Sequence, residues 1–119
     1  MRTLFTTLVL SIGCGNMTSQ QLLAIGSACT KDSPTRSVCG TLDRYFCDTA
    51  HPNGYCKASC HNDAECPTGS VCAGAGMVSP GECHKSCTQA SMNTDCRVQE
   101  GYVCKKKPDD ASHDYCDQD

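Results

Sequence analysis

Large apolar residues are spread along this chain in two different ways. Between Leu4 and Gly13 they stand together, in the run LFTTLVLSIG. From Cys29 onward they never form a run. Val38, Leu42, Tyr45, Phe46, Tyr55, Val71, Met77, Val78, Met92, Val98, Tyr102, Val103 and Tyr115 come singly or in pairs, most of them one or two positions from a cysteine. The first pattern is that of a signal-peptide core. It follows the positive start Met1-Arg2-Thr3 and is about half the length of a membrane-spanning helix, which needs about 20 residues. It predicts export, with residues 1–13 as the signal peptide. No second hydrophobic stretch follows, so no spanning segment is expected.

The second pattern predicts short strands broken by turns. Three segments, RYF, GSV and GYV, lead into Cys47, Cys72 and Cys104. They are rich in β-branched and aromatic residues, which favour a pleated surface. Turn chemistry lies beside them: Pro67-Thr68-Gly69, Glu100-Gly101, Asn53-Gly54 and Pro80-Gly81. Proline presets one turn angle and glycine accepts positive φ. Two or three short strands per four-cysteine unit are expected, with almost no helix outside the leader.

Cysteine decides the class. There are 13 in 119 residues, the density of a disulfide scaffold. Twelve of them, Cys29 to Cys116, form a repeat. The units are Cys29, Cys39, Cys47, Cys56, then Cys60, Cys66, Cys72, Cys83, then Cys87, Cys96, Cys104, Cys116. A Cys-x3-Cys joint links each unit to the next. Polar, acidic segments (NDAE, MNTD) precede the second cysteine of units two and three, and GY, GE and DY precede the fourth cysteines. The expected fold is small and disulfide-rich, three tandem four-cysteine units of short β-hairpins and loops, spanning 29–56, 60–83 and 87–116 within the block 29–119. Residues 14–28 precede it as a tether, in which Leu22, Leu23 and Ile25 either form a short strand or helical turn against the first repeat or stay loose.

Four cysteines allow three pairings. The interlocked one, first to third and second to fourth, ties each hairpin to both flanks of its unit, whereas adjacent pairing leaves loops with nothing to pack on. It predicts Cys29–Cys47, Cys39–Cys56, Cys60–Cys72, Cys66–Cys83, Cys87–Cys104 and Cys96–Cys116. The bridges carry the stability. Only 13 of the 91 residues from Cys29 onward are large and apolar. Their burial falls short of a chain entropy of about 1–2 kcal/mol per residue. A bridge closing about 15 residues contributes about 3 kcal/mol by shrinking the unfolded ensemble.

Other chemistries are poorly served. No Cys-x2-Cys or His-x3-His pair is present for zinc, so no metal or cofactor is expected. No motif positions a nucleophile, a phosphate loop or a redox pair, so no catalysis is expected. The formal charge is −3. The one basic run, Lys105-Lys106-Lys107, is followed at once by Pro108-Asp109-Asp110, so no nucleic-acid partner is expected. Asn16-Met17-Thr18 is a sequon of use only in a eukaryotic host.

Cys14 is the odd cysteine. LSIGC resembles a bacterial lipobox, with Gly13 before the cysteine and Leu10 one place earlier than the usual leucine. The resemblance implies that Cys14 takes a diacylglycerol on its sulfur and becomes the mature amino terminus, anchored to a bacterial outer membrane or cell surface. Removing Cys14 from the pairing leaves an even twelve. Two other fates are open: loss of Cys14 with an ordinary leader cleaved after Gly26 or Ala28, and secretion, or a free thiol.

The stretch C-HNDAE-C-PTGSV-C through GEC-HKS-C is similar to the small repeats of cysteine-rich secreted bacterial lipoproteins. In outline it also resembles the extracellular EB-type and Dickkopf amino-terminal modules. That likeness implies a recognition or spacer unit for a protein or glycan, with the membrane reached only through the lipid. Tyr45, Tyr55, Tyr102 and Tyr115 are the candidate contacts, since aromatics supply area at low entropic cost. Each could equally cover a disulfide as local core. A second resemblance is to the reactive loop of Bowman–Birk inhibitors, at CTKDSPTRSVC. It implies a serine-protease inhibitor with Lys31 in the specificity pocket, or Arg36 at a second bond, although Asp32 stands where that family has serine.

Overall fold

A computed structural model of the chain describes residues 22–32, 37–76, 78–107 and 110–119. Its architecture is a small, disulfide-rich, antiparallel β fold. The strands are β1 (Tyr45–Asp48), β2 (Tyr55–Cys60), β3 (Ser70–Ala73), β4 (Gly81–Cys87), β5 (Tyr102–Lys107) and β6 (Asp110–Gln118). They lie in the order β1-β2-β4-β6-β5, with β3 also on β4. Helix among the described residues amounts to one turn, α1 (Met92–Asp95), and two 3₁₀ turns at Asp63–Glu65 and Val98–Glu100.

Each unit is one hairpin, β1–β2, β3–β4 or β5–β6. In each, the third and fourth cysteines face each other directly: Cys47 opposite Cys56, Cys72 opposite Cys83, and Cys104 opposite Cys116. Opposed residues project from the same face of a sheet, so the two sulfurs emerge side by side. They do not bond to each other. The bridges are Cys29–Cys47, Cys39–Cys56, Cys60–Cys72, Cys66–Cys83, Cys87–Cys104 and Cys96–Cys116. This is the interlocked arrangement. First and third cysteines have Cα atoms 6.0 Å apart in all three units. Second and fourth lie 5.3, 5.6 and 5.4 Å apart.

The polar stretches ahead of Cys66 and Cys96 form equivalent helical turns. Cys66 N–H donates to Asp63, and Cys96 N–H to Met92. A helix of three or four residues shows no periodicity in sequence, which is why composition alone marked these only as acidic. Asp32 and Asp63, each three residues after a first cysteine, share another role. Their carboxylates accept the backbone N–H of the third cysteine, Cys47 at 3.0 Å and Cys72 at 2.8 Å. These side chains occupy donors on strand edges that would otherwise offer a pairing template.

The Cys-x3-Cys joints are strands. Positions i and i+4 fall on the same face of a strand, so both cysteines of a joint point into sulfur layers. β2 pairs with β1 as far as Ala58, and then Ser59 and Cys60 pair with Glu82 and Gly81 of β4. β4 repeats the move: Ser86 and Cys87 pair with Tyr115 and Asp114 of β6. Each closing strand therefore belongs to two units. Residues 26–29 take the equivalent place for unit one by backbone hydrogen bonds, without forming a strand. Gly26 N–H donates to Cys56, Cys56 N–H to Ser27, and Cys29 N–H to Asn53. Ile25 is buried with Ala58, Cys60, Cys72 and Cys83. The segment from Leu22 to Ala28 is thus laid against the hairpins.

Two turns differ from expectation. The Asn53-Gly54 pair is not a two-residue hairpin turn. The bend is closed by Gly54 N–H donating to His51 at 2.9 Å, with Pro52 and Asn53 at its centre and Asn53 at φ 55°. Gly54 (φ 70°) is needed for a second reason: a Cβ there would overlap the Cys29 carbonyl. Gly81 opens β4 instead of making a turn, because the backbone of Ala73 and Ala75 crosses where its Cβ would lie.

Unit three also packs on unit one. Tyr55 joins the buried cluster of Cys87, Cys96, Tyr102, Cys104 and Cys116. Its ring stacks on Tyr102 with centroids 5.1 Å apart. The Tyr102 hydroxyl donates to the Pro52 carbonyl at 2.7 Å, and Arg97 donates to Gly54 at 2.6 Å from a guanidinium lying 4.4 Å over the Tyr102 ring. Replacing Cys96 and Cys116 together by serine should therefore cost about 2–4 kcal/mol. It should also raise amide exchange at Gly54 and Tyr55, not in unit three alone. Exchange confined to residues 87–119 would contradict the shared packing.

Candidate functional site

The four tyrosines separate into two pairs. Tyr55 is 1% exposed and Tyr102 0%. Both are core, so neither offers a contact surface, and this corrects their place among the candidate contacts. The reason is the weak apolar complement: with so few large side chains, the units recruit tyrosine rings as filling and satisfy each hydroxyl on a backbone carbonyl. Burial pushes the Tyr55 hydroxyl up to about 12. Tyr45 and Tyr115 stay half-buried.

Lys31 is exposed on the loop after Cys29, but Asp32 beside it is turned inward. One Asp32 oxygen accepts from Cys47 N–H and the other from the Ser37 hydroxyl at 2.7 Å. Arg36 and Cys14 lie outside the described residues.

Between the units lies a charged layer that sequence reasoning missed. Lys57, His84 and Asp117 each follow the fourth cysteine of a unit, and strand alternation turns them away from the sulfurs. Lys57 is 3% exposed and His84 5%. The Lys57 ammonium bridges Asp48 of unit one at 2.9 Å and Glu82 of unit two at 2.8 Å. His84 donates from Nδ1 to the Cys116 carbonyl at 3.0 Å, while its Nε2 faces Glu82 at 3.8 Å. His51 sits 3.0 Å from Asp48 and 3.4 Å from Asp117. One signal could have exposed this layer: the residue after each fourth cysteine is polar in all three units.

The His84 ring, followed by the Lys57 ammonium, holds the Glu82 carboxyl down at about 2, against its partial burial. Burial alone would raise Asp48, yet Lys57 keeps it below the usual carboxylate range. Burial would lower Lys57, and Glu82 and Asp48 outweigh it and hold the ammonium above its ordinary value. The ammonium thus occupies the space among these carboxylates. The triads of ligand atoms within 4.8 Å of one another among the described residues are all of cysteines, and all of those sulfurs are bridged. A bridged sulfur has no thiolate to give a metal.

The surface feature best suited to binding is a cleft of about 330 Å³ where the amino-terminal strap meets units one and two. Ile25 and Cys39 lie buried in its lining, at 7% and 3% exposure. Its rim carries Leu22, Leu23 and Leu42, exposed to 38%, 37% and 58%. Tyr45, Pro67 and the turn Thr68-Gly69 form further walls, and Lys85 stands at one side. Both ends of this cleft are backbone-held: Leu23 N–H donates to Val38, and Ser86 N–H to Gly69. The chain matches no family model, no curated protein and no solved structure.

Two outcomes follow for the charged layer. Glu82, Asp48 and Asp117 have folded values below their unfolded ones, so their contribution is present above about pH 4.5 and is lost as pH falls towards 2. The thermal midpoint of the oxidised protein should fall across that window. Lys57→Met should cost about 1–3 kcal/mol, less than a fully buried pair because Glu82 and Asp48 can rehydrate. It should also flatten the acid dependence. A midpoint independent of pH between 5 and 2 in the parent would contradict the pairing.

Proposed function

We propose that this chain is an exported, non-catalytic recognition module that binds a protein at an extracytoplasmic surface. Six bridges in 91 residues suit an oxidising compartment, since such bonds persist there and are reduced in the cytosol. The leader and the lipobox-like LSIGC support attachment through a diacylglyceryl group on Cys14. With residues 22–28 strapped to the hairpins, only residues 15–21 would separate that anchor from the fold. Seven residues reach about 25 Å when extended, so the module would sit close to the membrane face.

The observation that carries the recognition reading is the leucine-rimmed cleft. A chain so poor in large apolar residues leaves three leucines exposed around one concavity. Exposed apolar clusters of this kind mark interaction sites. A protein partner fits better than a glycan, which would use exposed aromatic rings, because two of the four tyrosines are core.

Two measurements test this. Cys14→Ser should move the protein from the membrane fraction to the soluble one, and the parent's intact mass should include the lipid and six bridges. A soluble parent beginning near Ser27 would remove the anchor from the proposal. A photo-crosslinking residue at Leu42 should give a discrete protein adduct on intact cells, and the same residue at Lys106 should not. Equal adducts from both positions, or none from Leu42, would remove the cleft.

A further inference from the structure

The cleft is apolar but not neutral. Lys85 is the one charged residue in its lining, which includes no aspartate or glutamate. Four of the other cations have a carboxylate partner, while the exposed Lys31 and Lys106, which lie outside the cleft, have none among the described residues. Lys57 has Asp48 and Glu82, Lys105 has Asp117, Lys107 has Asp63, and Arg97 has Glu100. The Lys85 ammonium has no carboxylate partner among the described residues. Its place is built. Lys85 lies on β4 between Cys83 and Cys87, each held by a bridge. Its backbone N–H donates to the Tyr55 hydroxyl at 3.2 Å, and Gly26 packs so close to its Cβ that a side chain there would collide. The backbone and Cβ of Lys85 are thereby fixed at the wall of the cleft. A chain of net charge −3 thus presents, beside its exposed leucines, a cation with no carboxylate partner among the described residues.

We infer that the cleft takes an acidic, apolar segment of a partner protein, with a leucine-like side chain against Leu22, Leu23 and Leu42 and a carboxylate on Lys85. This rests on the recognition reading above and names the chemistry of its partner. A concave cleft with buried residues in its lining fits an inserted side chain, whereas a bilayer surface calls for a protruding apolar contact. A peptide carboxylate at a half-shielded lysine gains from the low local dielectric and selects against basic segments.

The probe is acetyl-Glu-Leu-Leu-amide, titrated to about 5 mM, a range in which a fragment of this size binds detectably. The protein is the oxidised chain carrying Cys14→Ser, isotopically labelled for amide NMR. The expected result is saturable shifts at Leu23, Ile25, Thr41 and Gly69. Lys85→Glu should weaken binding about fivefold or more and turn preference towards acetyl-Lys-Leu-Leu-amide. Leu42→Ser, at the most exposed rim position, should weaken both peptides while leaving the unit three spectrum unchanged. Equal binding of the glutamate and lysine peptides to the parent would overturn the acidic partner and leave the cleft as a recognition site. Absence of cleft shifts with either leucine peptide would overturn both readings. Vesicles containing phosphatidylglycerol that broaden the cleft amides where the peptide does not shift them would identify a membrane contact and overturn a protein partner.

Discussion

The structure depends on one constraint repeated three times: two cysteines face each other across a hairpin, and each is bonded backwards to a different point in its own unit. Because the opposed sulfurs emerge side by side, the two bridges of a unit lie in contact and become its core. The loop before the hairpin is then held at both ends. That explains how helical turns of three or four residues persist at Asp63–Glu65 and Met92–Asp95, far below the length at which helices stand alone. It also explains how a chain with no tryptophan and two phenylalanines can hold a fixed form. Cross-links restrict the unfolded chain, so less apolar burial is required of the folded one.

A second layer comes from the same strands. Cysteines four positions apart in the joint point one way, and the residues adjacent to them point the other. There Tyr55, Lys57, Glu82, His84, Tyr115 and Asp117 meet residues of other units. Bridges close the units separately, while this layer and the shared strands join them. The two kinds of cohesion differ in their sensitivity: the bridges respond to reduction, and the Lys57 layer responds to acid.

The candidate binding site is a by-product of the way the repeat begins. Unit one has no preceding closing strand, and residues 26–29 take that place. Their apolar approach, Leu22-Leu23-Ala24-Ile25, buries Ile25 and leaves the leucines at the edge of units one and two. In sequence this stretch reads as tether, since it contains no cysteine and lies outside the repeat. Lys85 is in sequence only part of the HKS flank before Cys87. Only the fold brings residues near 22, 42, 68 and 85 around one cleft.

The amino-acid sequence by itself determined the class, the three units, the strands before the third cysteines and the scarcity of helix among the described residues. These are local properties: cysteine spacing, turn residues and β-rich triplets act within a few positions of one another. It also favoured the interlocked pairing among the three that each unit allows, and the structure has that arrangement. Tertiary structure decided what depends on distance through space. It made Tyr55 and Tyr102 core where their composition also allowed surface contacts, because unit three folds back onto the Pro52–Gly54 turn. It moved the bend in HPNG to Pro52-Asn53 and put Gly81 in a strand, because the Cys29 and Ala73 carbonyls pass where a Cβ would stand. It buried Lys57 among carboxylates from two units, a pairing between residues 9 and 25 positions apart that no local pattern announces.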